Sequence, residues 1–238
     1  KWMQYDHGHR STQHLFEMTP LEAAIQQYEE LANKHYTERL SMLKASGKEK
    51  KRAEASLAKA QQFLLQQRRH IRNLASIQLK LAEYQASGNE IAEIDPEALL
   101  EEKHHPTRVL ARNMTADANP RPSSRHSAHH IVAGKGIHPR TADIRLVIHF
   151  AGIRINDPDN GVWLPIGKSD KGHWAMPSAP AHSEIHTFNY ETWVNYLLGP
   201  LDSEVTIRSA LNRIRSLLRD GQQPPQVTMK KDTSWAGY

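Results

Sequence analysis

Between Thr19 and Ser87 the apolar residues return every three or four positions, and only Ser46-Gly47 interrupts them. A stretch with that period is best satisfied by amphipathic helices. Thr19-Pro20-Leu21-Glu22 reads as a capping box with proline at the first helical position. The helix it opens is expected to carry Leu21, Ile25, Tyr28, Ala32, Tyr36, Leu40 and Leu43 on its inner stripe. A second helix is expected from about Lys48 to Ser87, closed by Gly88-Asn89. Its seam, Leu57, Ala60, Leu64, Gln67, Ile71, Leu74, Gln78 and Leu81, is a seven-residue repeat with two polar interruptions. Two helices joined by a short glycine turn make an antiparallel hairpin. Such a hairpin serves either as a docking or delivery module or as a plain scaffold, and the pattern does not choose between them.

Asp95-Pro96-Glu97 predicts one more short helix, after which Asn119-Pro120-Arg121-Pro122-Ser123-Ser124 reads as a linker. The expected division is therefore a helical region over 1–118 and a second domain over 119–238. In that domain His129 to Val132 predicts a strand. Thr141 to Phe150 predicts a helix, with Ile144, Val147 and Ile148 in phase and Gly152 as a left-handed cap. The turn Asn156-Asp157-Pro158-Asp159-Asn160-Gly161 leads to a second strand, Val162-Trp163-Leu164, halted by Pro165. A loop rich in glycine, lysine and proline follows from Gly167 to Pro180. His182 to Leu198 predicts a helix, and Ser203 caps a last one through Leu218. The fold class expected is α+β: an N-terminal helical hairpin, then a small ββα domain with a C-terminal helix.

The 238 residues include no cysteine, which excludes thiolate metal sites, disulfides and cysteine nucleophiles. No run approaches the roughly 18 apolar residues of a membrane-spanning helix, and no membrane partner is expected. The first residue is Lys1, so the chain is expected to be a piece of something longer, with any address label upstream. The net charge of +5 is uneven: 17 basic residues face 16 acidic ones through Pro120, and 14 face 10 from Arg121 onward. A basic surplus of this kind suits a polyphosphate partner.

That surplus coincides with the histidines that carry chemistry. His129 and His130 are adjacent on an expected strand, so their side chains point to opposite faces and divide two tasks, one facing a metal and the other a water. His182 and His186 are four apart, and on a helix their rings share one face and one ion. Trp163 and Trp193 fall where core packing explains them, whereas Trp174, in the polar loop, is a candidate to stack on a base. His7, His9 and His14 lie in no clear element, and His126, His138, His149 and His173 read as background.

Four blocks carry a resemblance: Ser127-Ala128-His129-His130-Ile131-Val132, Gly152-Ile153-Arg154-Ile155-Asn156-Asp157, Asn160-Gly161-Val162-Trp163-Leu164-Pro165, and His182-Ser183-Glu184-Ile185-His186-Thr187 with Tyr190 and Val194. In this order they resemble the AHH family, a branch of the HNH/endonuclease VII superfamily with the ββα-metal fold, found in bacterial polymorphic toxins. The resemblance covers roughly Arg121 to Leu198 and leaves the hairpin out. It implies His129, His182 and His186 as metal ligands, His130 as the general base, and Asn160 as the asparagine whose amide ties the turn and steadies that base. It also implies products with 5′-phosphate and 3′-hydroxyl ends.

The expected function is thus a metal-dependent endonuclease toxin acting on DNA with low sequence specificity. Three imidazoles suit zinc or nickel by affinity, and magnesium often supports turnover in the superfamily. Arg125, Lys135 and Lys168 are candidates for phosphate contact. A toxin implies an acidic cognate immunity protein, delivery from a bacterial cell and action in the target-cell cytoplasm. Two alternatives remain at this point: RNA as substrate, and a non-catalytic helical adaptor.

Overall fold

The computed structural model describes residues 5–6, 9–10, 18–104 and 107–238. His7 and His14 lie outside them. The chain forms two compact units, Lys1–Leu79 and Lys80–Tyr238.

In the first unit β1 (Tyr5–Asp6) pairs antiparallel with β2 (His9–Arg10). α1 (Pro20–Leu43) follows, then α2 (Gly47–Ile94), whose C-terminal part belongs to the second unit. The capping box forms as expected: Glu22 N donates to Thr19 Oγ1 at 3.2 Å, and Thr19 N donates to the Glu22 carboxylate at 2.7 Å. Gly47 turns the chain with φ +59°, a conformation that strains any side chain with a Cβ. Leu31 and His35 of α1 line a groove with Ala60 and Leu64 of α2, so the two helices form the antiparallel hairpin. The seam on α2 is the expected one, with Leu57 and Leu74 buried. The stripe on α1 is not. Tyr36 and Leu43 are 61% and 67% exposed, while Leu31, His35 and Met42 turn inward. One partner helix covers only a narrow seam, and the apolar positions outside it stay in solvent.

α2 also ends later than expected, at Ile94 rather than Ser87. Gly88 lies inside the helix, where a Cβ would stand 2.7 Å from the carbonyl oxygen of Gly152. The glycine permits a close approach of two backbones and does not terminate the helix.

The second unit continues through a 3-10 turn at Pro96–Glu101, α3 (Arg108–Ala116), β3 (His126–His130), α4 (Thr141–Phe150), β4 (Gly161–Pro165), a 3-10 turn at His182–Glu184, α5 (Phe188–Leu198), α6 (Glu204–Arg219) and a last 3-10 turn at Pro225–Thr228. The unit is mostly helical around one small sheet, an α+β arrangement. β3 and β4 pair antiparallel, with His126 opposite Pro165, Ala128 opposite Trp163 and His130 opposite Gly161. Leu110 and Met114 of α3, Ile144 and Ile148 of α4, Trp193 and Leu198 of α5, and Leu211 and Leu218 of α6 enclose Ala128, Val162 and Leu164 of the sheet. Among the described residues no helix is long and apolar enough to cross a membrane.

Several boundaries differ from expectation. β3 begins three residues earlier, and Ile131 and Val132 leave the ladder although both are buried. Their amides bond instead to the main-chain oxygen of Asn160, at 2.8 Å, and to its side-chain oxygen, also at 2.8 Å. α3 has no clear counterpart in the sequence pattern, because its nine residues bury only one narrow stripe. The expected boundary at 118/119 falls inside the second unit, since α3 packs in that core and Trp163 Nε1 donates to the Asn119 carbonyl at 2.9 Å. Gly152 is left-handed (φ +72°) just past α4, as expected.

Two outcomes follow for stability. Leu110→Ala should cost about 2–5 kcal/mol in urea denaturation, the usual range for emptying a buried leucine site; a loss below about 1 kcal/mol would remove α3 from the core. His149 is buried with Nδ1 against the Ile153 carbonyl at 2.9 Å, and burial lowers its pKa to about 4. Between pH 6.5 and 4 the unfolded imidazole takes up a proton that the folded one refuses, so stability falls as pH falls, by roughly 3 kcal/mol over that window. His149→Gln should flatten this dependence when unfolding is followed at pH 7 and pH 4.5.

Candidate functional site

The pleat of β3 sends the side chains of His129 and His130 to opposite faces. His129 is buried, and its ring meets those of His182 and His186 at centroid distances of 4.8 and 5.2 Å. The rings of His182 and His186 are themselves 4.6 Å apart. One nitrogen from each of the three histidines lies within 4.8 Å of the others, and among the described residues no other group of three such side chains does this. Tetrahedral nitrogens at the usual zinc distance stand roughly 3.4 Å apart, so a small inward movement brings these rings to first-shell range. The donor set fits a borderline-soft divalent ion.

The electrostatics agree. Burial holds the pKa of His129 well below its ordinary value, and repulsion from His182, His186 and His130 adds to the effect. A neutral ring keeps a lone pair to donate. Tyr190 Oη lies 3.1 Å from His129 Nε2 and donates to the Ile131 carbonyl at 2.9 Å. Its one proton is thereby used, so Nε2 of His129 is the donor in that pair and Nδ1 carries the lone pair. Ser127 Oγ stands 2.6 Å from Nδ1 of His182. Both contacts are of the kind that fixes the orientation of a ligating imidazole.

The local structure that brings His182 and His186 together is not the expected helix. His182 starts a 3-10 turn, closed where Ala181 N donates to Glu184 Oε2 at 2.9 Å, and His186 lies in irregular chain beyond it. α5 begins only at Phe188, where Thr187 Oγ1 accepts from Tyr190 N at 3.0 Å. The two rings thus lie together without the helix expected to carry them.

His130 occupies the other face. Its Nε2 lies 3.0 Å from Asn156 Oδ1, and its ring meets that of His104 edge-on at 6.1 Å. A single cleft is lined by His104, His129, His130, His182, His186 and Lys135. Of the two tasks expected of Asn160, tying the turn and steadying the base, its hydrogen bonds perform the first. Its Oδ1 accepts from Val132 N at 2.8 Å, and its Nδ2 donates to the Ile155 carbonyl at 2.9 Å and the Val132 carbonyl at 3.3 Å. It ties the turn to the end of β3, while the contact with His130 belongs to Asn156.

Glu191 carries a role that no sequence signal marks. Its carboxylate accepts from Ile137 N at 2.9 Å, His138 N at 2.7 Å and Thr141 Oγ1 at 2.6 Å, anchoring the loop that carries Lys135. An acid in an amphipathic helix gives no sign of that role. Of the candidate phosphate contacts, Lys135 is exposed at the cleft and Arg125 is exposed beside β3. Lys168 stands 3.7 Å from Glu184, which also pairs with Lys171 at 3.0 Å. Trp174 is 86% exposed, whereas Trp163 and Trp193 are core residues. His126, read as background, is buried against His173.

Residues 110–220 match the model of a nuclease family of the HNH/ENDO VII superfamily with conserved AHH. That tripeptide is Ala128-His129-His130 here. No curated protein and no solved structure matches the chain.

Asn160→Ala should cost about 1–3 kcal/mol in chemical denaturation, because it leaves the buried Val132 amide and two carbonyls without partners. A change within about 0.5 kcal/mol would show that the turn holds without it.

Proposed function

We propose that this is a metal-dependent endonuclease of the ββα-metal type, formed by β3, β4 and α5, that hydrolyses DNA with little sequence preference. The observation that carries the reading is the convergence of His129, His182 and His186 in the same cleft that His130 lines from the neighbouring position on β3. His129, His182 and His186 are the residues to hold the ion, with Tyr190 and Ser127 orienting two of them. A divalent ion held there would neutralise charge on the phosphoryl oxygens and assist the departing alkoxide. Three imidazoles favour zinc or nickel over magnesium.

His130 is the general base. Its place beside the ligand cluster, on the opposite face of the strand, lets it take a proton from the attacking water without competing for the ion. Lys135 is the best placed cation to meet a backbone phosphate, with Arg125 and Lys168 further candidates. Affinity built on such contacts falls as salt rises. A nuclease with this little selectivity suits a delivered toxin that enters the cytoplasm of a target cell. Its producer then needs an immunity protein, and an acidic one fits the basic residues around the cleft.

Plasmid cleavage should stop on addition of EDTA and return with zinc, nickel or magnesium. His130→Ala should lower the rate about 10²–10⁴-fold while zinc uptake, measured by calorimetry, stays near wild type. His129→Ala and His182→Ala should weaken zinc binding itself. Equal loss of metal in all three variants would overturn the division of roles, and persistent cleavage in EDTA would overturn metal dependence. RNA cut faster than DNA in the same assay would reassign the substrate, and absence of cleavage of either would favour the helical adaptor.

A further inference from the structure

We infer that Asn156 and Glu102 fix the tautomer of His130, so that residues upstream of the family match help to build the catalytic centre. The inference rests on the reading of His130 as the base. Asn156 is 1% exposed, and its amide orientation is determined by its partners. Nδ2 donates to Glu102 Oε1 at 2.9 Å and to the Lys103 carbonyl at 3.1 Å, both of them acceptors. Flipping the amide would set an oxygen against a carboxylate oxygen and a carbonyl, neither of which can donate to it. Oδ1 must therefore face His130, where it lies 3.0 Å from Nε2.

An amide oxygen only accepts, so Nε2 of His130 carries the hydrogen. In the neutral ring the lone pair then belongs to Nδ1.

Glu102 is itself immobilised. It accepts from Tyr84 Oη at 2.6 Å and from Arg154 Nε at 2.7 Å, and the Tyr84 oxygen accepts from Asn156 N at 3.0 Å. Burial first, and the neighbouring Glu102 charge second, raise the pKa of Tyr84 and keep its hydroxyl a donor. Tyr84 lies in α2, and Glu102 follows the 3-10 turn at Pro96–Glu101. Both precede residue 110, where the family match begins. They are positioning residues, acting on the reaction through Asn156 and His130.

The test uses the full chain. Long-range 15N–1H spectra of protein labelled at histidine, with the His130 resonance identified by its loss in His130→Ala, should show the hydrogen on Nε2. In Glu102→Gln and Asn156→Ala the ring should populate both tautomers. The kcat for cleavage should fall about tenfold to a hundredfold, the scale of a misplaced catalytic group, with KM and zinc affinity unchanged. A wild-type ring protonated at Nδ1 would overturn the inference. So would wild-type kcat in both variants when His130→Ala is inactive, a result that leaves the assignment of the base standing. Cleavage retained by His130→Ala would remove the base instead, and the tautomer spectrum would still decide the relay. Should Asn156→Ala fail to fold, Glu102→Gln and the wild-type spectrum are enough to uphold or overturn the inference.

Discussion

The alternation of side chains along β3 is the constraint on which the site depends. Two neighbouring histidines on a helix would stand about 100° apart and crowd one region, whereas on a strand they are divided between two faces. His129 is thereby committed to the cluster with His182, His186 and Tyr190, and His130 to Asn156 and His104. The division holds only if the strand cannot slip, since a shift of one residue would exchange the two faces. Pairing with β4 sets the register, and Asn160 secures the chain just where β3 ends.

The turn that supplies both asparagines is held from the opposite side by α6. Arg208 reaches Asp157 at 3.2 Å and Asp159 at 2.6 Å, and Arg215 donates to the Gly161 and Pro158 carbonyls at 2.8 and 2.6 Å. α6 buries Ile207, Leu211, Ile214 and Leu218 on one stripe, and the two arginines flank that stripe. The same helix closes the core and holds the loop, which is why an element far from His129 and His130 in sequence bears on their geometry. Gln85, from the end of α2, adds a bond to Asp157 at 3.3 Å.

How much of this the sequence disclosed depends on the range of the contact involved. The histidine cluster was legible because residue type and order sufficed, and the Thr19 cap and the Gly152 turn because their signals are local. The choice between Asn156 and Asn160 was not legible. Both lie in one turn, four residues apart, and only the packed loop decides which amide meets His130. Tyr84 and Glu102 were hidden for a related reason: they reach Asn156 across sequence separations of 72 and 54 residues, in helical segments that read as ordinary amphipathic surface. β3 was displaced because its buried residues include His126, which no hydrophobic pattern would mark as a strand position.

Glu191 shows what a single buried acid can contribute away from the chemistry. By gathering two amides and a hydroxyl it removes most of the conformational freedom of the segment from Ile137 to Thr141. Lys135, just ahead of that segment at the cleft, therefore stands on a backbone that is already ordered. The entropy of arranging that rim is lost when the chain folds and need not be lost again when a ligand enters the cleft, which would leave more of the contact energy for binding.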